Sequence, residues 1–97
     1  MNKKFPVLVV VDIDENIDIK AFEGYLLDEG FEKIKDEPFA YSGTSTTAIM
    51  NTRAFIFGIF SHALKLGGAS KCTLICQLAT NPYESYLYKD GDFTEVK

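Results

Sequence analysis

Phe5-Pro6-Val7-Leu8-Val9-Val10-Val11-Asp12-Ile13 is a near-continuous apolar, β-branched run. That pattern suits a strand covered on both faces or central in a sheet, with Pro6 at its beginning, where a missing ladder donor is tolerated. The period then changes. Ile17, Ala21, Phe22, Tyr25 and Leu26 recur at helical spacing behind three candidate caps, Asp14, Asn16 and Asp18, and Gly30 supplies a left-handed stop.

Phe31 to Lys35 and Pro38 to Tyr41 read as a second strand, interrupted around Asp36-Glu37-Pro38. Ser42-Gly43-Thr44-Ser45 reads as a turn and Thr46 to Met50 as a short third strand. Asn51 or Thr52 can cap a second helix running to about Leu66, stopped by Gly67-Gly68, with Phe55, Ile56, Ile59, Phe60, Ala63 and Leu66 on its apolar face. Ala54 to Phe60 is β-branched and aromatic enough for a strand, but the distance from cap to stop is helical. Ser70 to Leu78 alternates Cys72, Leu74, Cys76 and Leu78 against Thr73, Ile75 and Gln77, as a fourth strand does. Tyr83 to Tyr88 and Phe93 to Val96 flank Lys89-Asp90-Gly91-Asp92, a hairpin built on Asp-Gly.

Strand, helix, strand, strand, helix, strand and a tail hairpin predict an α+β chain. Its expected form is a ferredoxin-like βαββαβ sandwich with a C-terminal β-hairpin, spanning residues 1–97 as a single domain, with two helices on one face of an antiparallel sheet. The opposite face carries apolar residues in either register. A partner subunit, or the hairpin folding back, is expected to cover it, and a homodimer is the expected assembly.

Composition narrows the function classes. Of 97 residues, 46% are hydrophobic and 25% charged, the balance of a globular chain. No apolar run approaches the roughly 18 residues of a membrane span, and Met1-Asn2-Lys3-Lys4 opens into a strand rather than a signal peptide, so a cytoplasmic protein is expected. The net charge of −4 argues against a basic platform for double-stranded DNA. Cys72 and Cys76 lie roughly 13 Å apart along a strand, beyond the about 7 Å that a disulfide spans, so two reduced, packed thiols are expected.

Charge is uneven along the chain. Residues 12–37 hold ten acids against three lysines. They form either an acidic docking surface, centred on Glu23, Asp28 and Glu32, or a solvated helix face with acids favourably placed at its N-terminus. Asp12 and Asp14 share one side of the first strand's end and, with Glu15 nearby, offer carboxylates for a divalent cation and phosphodiester cleavage; the bland alternative makes Asp14 a cap and pairs Asp12 with a backbone donor or lysine. Arg53, the only arginine, falls in the first turn of the second helix, where the dipole does not favour a cation. It pairs with Asp12 or Glu37, or holds a phosphate. Ser42 to Thr47 offers hydroxyls to a phosphate but lacks the lysine of a P-loop. His62 stands alone on the second helix, and Tyr83, Tyr86 and Tyr88 suit an interface or core edge better than base stacking.

Val9-Val10-Val11-Asp12-Ile13, the helix ending in Glu29-Gly30-Phe31, Tyr41-Ser42-Gly43, Thr47-Ala48-Ile49 and Asn51-Thr52-Arg53 resemble the small GhoS-type antitoxins. These are ferredoxin-like endoribonucleases related to the small CRISPR-associated endoribonucleases. The resemblance implies a homodimer that cuts single-stranded RNA with Mg or Mn. In it Asp12 would take the place of the metal-binding acid that ends the first strand of the CRISPR-associated proteins, and Arg53 would hold phosphate. The competing class is a non-catalytic inhibitor or antitoxin that sequesters a basic protein partner through Glu23, Asp28 and Glu32.

Overall fold

Alternation along the first strand organises the molecule. The computed structural model describes residues 4–96. In it β1 (Phe5–Asp12) turns Val7, Val9 and Val11 into the core and leaves Leu8, Val10 and Asp12 on the other face. The chain continues through α1 (Ile19–Asp28), β2 (Glu32–Lys33), β3 (Ala40–Ser45), α2 (Ile49–Gly67), β4 (Lys71–Leu78), β5 (Glu84–Lys89) and β6 (Asp92–Glu95). This is an α+β protein. The strands form one antiparallel sheet in the order β2-β3-β1-β4-β5-β6.

Both helices pack on the sheet's inner face. Phe22 and Leu26 of α1 and Ile56, Phe60, Ala63 and Leu64 of α2 share one core with the inward valines, Tyr41, Leu74 and Leu78. Aromatic edges join the layers: Phe22 meets Tyr41 at 5.8 Å between ring centroids, and Phe31 meets Phe60 at 5.1 Å, both edge to face. The buried phenol of Tyr41 donates to a Glu23 carboxylate oxygen at 2.7 Å, which satisfies a hydroxyl that would otherwise be stranded.

Of the three candidate caps, Asp18 is the one used, accepting from the Ala21 amide at 3.1 Å. Gly30, at φ 96°, follows the helix as expected. Ala54 to Phe60 is helical. Its buried stripe is Thr52, Ile56, Phe60, Ala63, Leu64 and Gly67, so Phe55 and Leu66, expected on the apolar face, are exposed instead. The Asp90-Gly91 pair, both with positive φ, closes the β5–β6 hairpin. Cys72 and Cys76 are both free and buried.

Four local expectations are overturned. The reversal between the second and third strands falls at residues 34–39, with Asp36 and Phe39 at positive φ, and not at Ser42–Ser45. Ser42–Ser45 is strand because the β1 ladder reaches it, pairing Leu8 with Ser42 and Phe5 with Ser45. Thr46 to Met50 is therefore no strand: it is a connection and the first turn of α2, whose cap is Ala48 with no side-chain hydrogen bond, rather than Asn51 or Thr52. Finally, the hairpin does not fold over the open face. It extends the sheet beyond β4, leaving Leu8 and Ile75 about a third exposed, at 37% and 36%.

Two glycines of α2 give opposite expectations. A methyl group on Gly58 meets nothing within 4 Å, whereas one on Gly67 meets Phe22 Cβ at 3.3 Å and the Asp18 carbonyl oxygen at 3.4 Å. Gly58→Ala is expected to raise the unfolding free energy by about 0.5–1 kcal/mol. Gly67→Ala should give no such gain, because α1 and α2 must part to admit it. Urea midpoints of the two variants check both.

Candidate functional site

Three surfaces bring the candidate residues together or keep them apart. The first surrounds Arg53. It lies one turn into α2, and β5 begins opposite with Glu84, which pairs with the inward-facing Cys76 and so faces the helix layer. An acid on the inner face of a strand requires a cation, and Arg53 supplies one. Nε meets Glu84 Oε1 at 2.6 Å and a terminal nitrogen meets Oε2 at 2.7 Å, a two-pronged ion pair. The Tyr86 hydroxyl also donates to Glu84. Arg53 holds the Glu84 carboxyl below the usual carboxylate range, burial opposes this, and Tyr86 adds to it. The same pair raises Arg53. Arg53 is thus paired with neither Asp12 nor Glu37, and its guanidinium is engaged by protein.

The second surface lies where β1 ends. Asp12, Asp14, Glu15, Lys71, Cys72, Thr73 and Leu87 line a cleft of about 330 Å³. Asp12 and Asp14 therefore do border one space. Glu15 is committed elsewhere. It accepts from the Ser70 amide and hydroxyl, which hold its carboxyl below the ordinary range, the backbone bond contributing most. Among the described residues no three metal-binding side chains converge. Asp12 and Arg53 do not meet: Asp12 is on the outer face of the sheet and Arg53 on the helix side. The adjacent thiols are inert. Burial, aided by Asp12 and Glu15, pushes Cys72 up to about 12, and burial aided by Glu84 pushes Cys76 up to about 11.

The third surface is the far end of α1. No acid lies in the helix's first turn. The last turn holds Asp28, the cap is Glu29, and Glu32 follows on β2. The helix-dipole benefit expected for N-terminal acids is confined to the cap, Asp18, and two carboxylates stand against the dipole at the other end. Asp28, Glu29 and Glu32 are exposed. Among the described residues none of the three has a cation within 4 Å. Glu23 differs from them, since it accepts from Tyr41 and lies 3.8 Å from Lys33 Nζ.

The remaining candidates are structural. Ser45, Thr47 and Thr52 hydrogen-bond to one another, Ser45 to Thr52 at 2.7 Å and Thr47 to Thr52 at 3.0 Å, so these hydroxyls are occupied. His62 is exposed, its ring tilted at 41° against that of Tyr25 with centroids 4.5 Å apart. Tyr86 and Tyr88 are core, and Tyr83 is exposed. Glu84 was missed in the sequence, although its alternation with Tyr86 and Tyr88 signalled an inward acid. Glu29, although read at the helix end in Glu29-Gly30-Phe31, is a further exposed acid beside the three expected there.

Compared with known proteins, the chain matches no family model, no curated protein and no solved structure.

The Arg53–Glu84 pair makes a pH prediction. A carboxylate depressed in the folded state stabilises fully above its unfolded value near 4.5 and loses that contribution as pH falls through its folded value. Glu84→Gln is expected to cost about 1–3 kcal/mol at pH 7. Its deficit against the native chain should shrink as pH drops below about 4.5. Urea unfolding from pH 7 to pH 3 checks the convergence.

Proposed function

We propose that this chain is a non-catalytic acidic binding module that engages a basic protein partner through the end of α1 and the start of β2. Asp28, Glu29 and Glu32 carry the reading: three exposed carboxylates without a cation, two of them placed where the helix dipole opposes them. Acids retained at such a position cost the fold stability and raise the negative potential toward solvent, which steers and holds a cationic surface. Glu23, bound to Tyr41 and Lys33, belongs to the core edge and only the remaining two of the three acids first expected there face a partner.

The strand order β2-β3-β1-β4, with α1 and α2 on one face, supports reading the first six elements as a ferredoxin-like βαββαβ sandwich to which β5 and β6 are added at the β4 edge. No helix among the described residues is long and apolar enough to cross a membrane.

A second reading, the antitoxin-like cutting of single-stranded RNA, is favoured by one observation: Asp12 and Asp14 border the same cleft as Lys71. Arg53 is on the other side of the sheet and already paired, and a homodimer through the outer face of Leu8, Val10, Ile75 and Leu87 would bring two Asp12 clefts toward one another but neither Arg53, so this reading keeps Asp12 and Asp14 and gives up Arg53 as the phosphate holder.

Two experiments separate the readings. For the binding module, cell extract is passed over the immobilised chain and over an Asp28→Lys/Glu32→Lys variant at low and high salt. A basic protein retained at low salt by the native chain alone, and released as salt screens the contact, is expected; identical retention by both overturns the surface. For the nuclease, labelled RNA is incubated with the chain and Mg²⁺ or Mn²⁺ while sedimentation gives the assembled mass. That reading expects a dimer and cleavage abolished by Asp12→Asn. A monomer, or cleavage unchanged in the variant, removes it.

A further inference from the structure

Beside the acids, the helix side of the sheet edge is open and apolar. Phe31, Ile59 and the exposed Phe55 (58%) border a notch of about 190 Å³, with Glu29 and Thr44 at its mouth. Its floor is built by a close approach: the Phe31 ring lies over Gly43 of β3, where a methyl group would come within 3.2 Å of the ring. Thr44 also lines a second depression, of about 220 Å³, whose other walls include Glu32 and Gly43. Thr44 therefore borders both depressions, an apolar one on the helix side of the sheet edge and an acidic one on its outer side.

The sheet edge between them is open at its end. β2 pairs with Tyr41 and Ser42 of β3 and Gly30-Phe31 lies against Gly43, so Thr44–Ser45 is the part of β3 with no strand beside it on that side. Such an edge accepts an extended chain by adding a strand, with main-chain bonds giving affinity and flanking pockets giving selectivity. Charge decides what kind of chain. No lysine, arginine or histidine lines either depression, and each carries one acid, Glu29 at the first and Glu32 at the second.

We propose that this track seats an extended peptide segment of a partner, one large apolar side chain entering the notch beside Phe55 and Phe31 and a neighbouring Lys or Arg meeting Glu32 or Glu29. The proposal rests on the binding-module reading and specifies the recognition chemistry within it. A purely cationic surface would leave Phe55 and the notch unfilled. A second copy of this chain would bring acids to acids.

Panning a phage-displayed library of random peptides on the full chain tests it. The selected peptides are then labelled and titrated by fluorescence anisotropy against the native chain, Phe55→Ala, Glu32→Lys and Glu29→Lys. Phe55 is solvent-facing on α2, so Phe55→Ala should unfold no more easily than the native chain, and thermal melts verify this. The expected result is a consensus of one large apolar residue next to Lys or Arg, with affinity falling at least tenfold in Phe55→Ala and in Glu32→Lys. Purely basic peptides indifferent to Phe55→Ala overturn the notch while leaving the acidic surface intact. Peptides indifferent to all three variants, or no enrichment at all, overturn both. Self-association of the chain that Phe55→Ala abolishes identifies the occupant as a second copy and also overturns the proposal.

Discussion

Strand alternation on β1 is the constraint from which the other features follow. A central strand sends every second side chain to each face, and two helices can cover only one face. Val7, Val9 and Val11 take the covered side and bind the aromatic layer of Phe22, Tyr41 and Phe60. Leu8 and Val10 then have no choice but the other side, whatever their polarity. A hairpin folded over them would relieve this. Its ladder with β4 runs from Lys71–Lys89 to Cys76–Glu84, which holds β5 and β6 in the plane of the sheet. The outer face is consequently a row of apolar residues bordered by Thr73, Ser85 and Thr94, and those hydroxyls keep the row narrow.

The same alternation distributes charge. Glu84, inward on β5, would be an uncompensated acid at the helix layer. Its pairing with Arg53 removes that cost and also commits the chain's one arginine, still partly exposed, to a partner within the protein. The consequence is an uneven exterior. The basic side chain best suited to hold phosphate is tied to Glu84, while the acids at the end of α1 face outward with no cation within 4 Å among the described residues. A surface so arranged repels polyanions and attracts cations, by geometry as much as by the net charge of −4.

Much of the architecture could be read from periodicity. The element order, the Asp18 cap among its alternatives, the Gly30 and Gly68 stops, the helical state of Ala54 to Phe60 and the Asp-Gly hairpin all arise from local signals, and local signals survive folding. The failures share one cause. Ser42-Gly43-Thr44-Ser45 has turn composition, but its conformation is set by the ladder to β1, a contact nearly forty residues away in sequence. Gly43 is there to admit the Phe31 ring, not to turn the chain. The rotation of the α2 stripe by a residue, which exposes Phe55, is likewise decided by what α2 packs against. For the candidate sites the balance is similar: the adjacency of Asp12 and Asp14 follows from their spacing, whereas the Glu84 partner of Arg53 lies 31 residues along the chain and required the fold.

The two functional classes differ in how much the single chain must supply. Catalysis at the end of β1 asks for a cation near Asp12 and a group to hold phosphate. Here the sheet separates Asp12 from Arg53, and the ion pair with Glu84 would have to break before Arg53 could turn to a substrate, so one chain does not complete the site. Binding asks for less. The acids, the exposed phenylalanine and the open Thr44–Ser45 end of β3 already stand together, on elements whose positions the core fixes. An arrangement complete within one chain needs no rearrangement before it meets its partner, and little binding energy is lost to ordering on the module's side. That preorganisation is the physical ground for placing recognition ahead of chemistry in this fold.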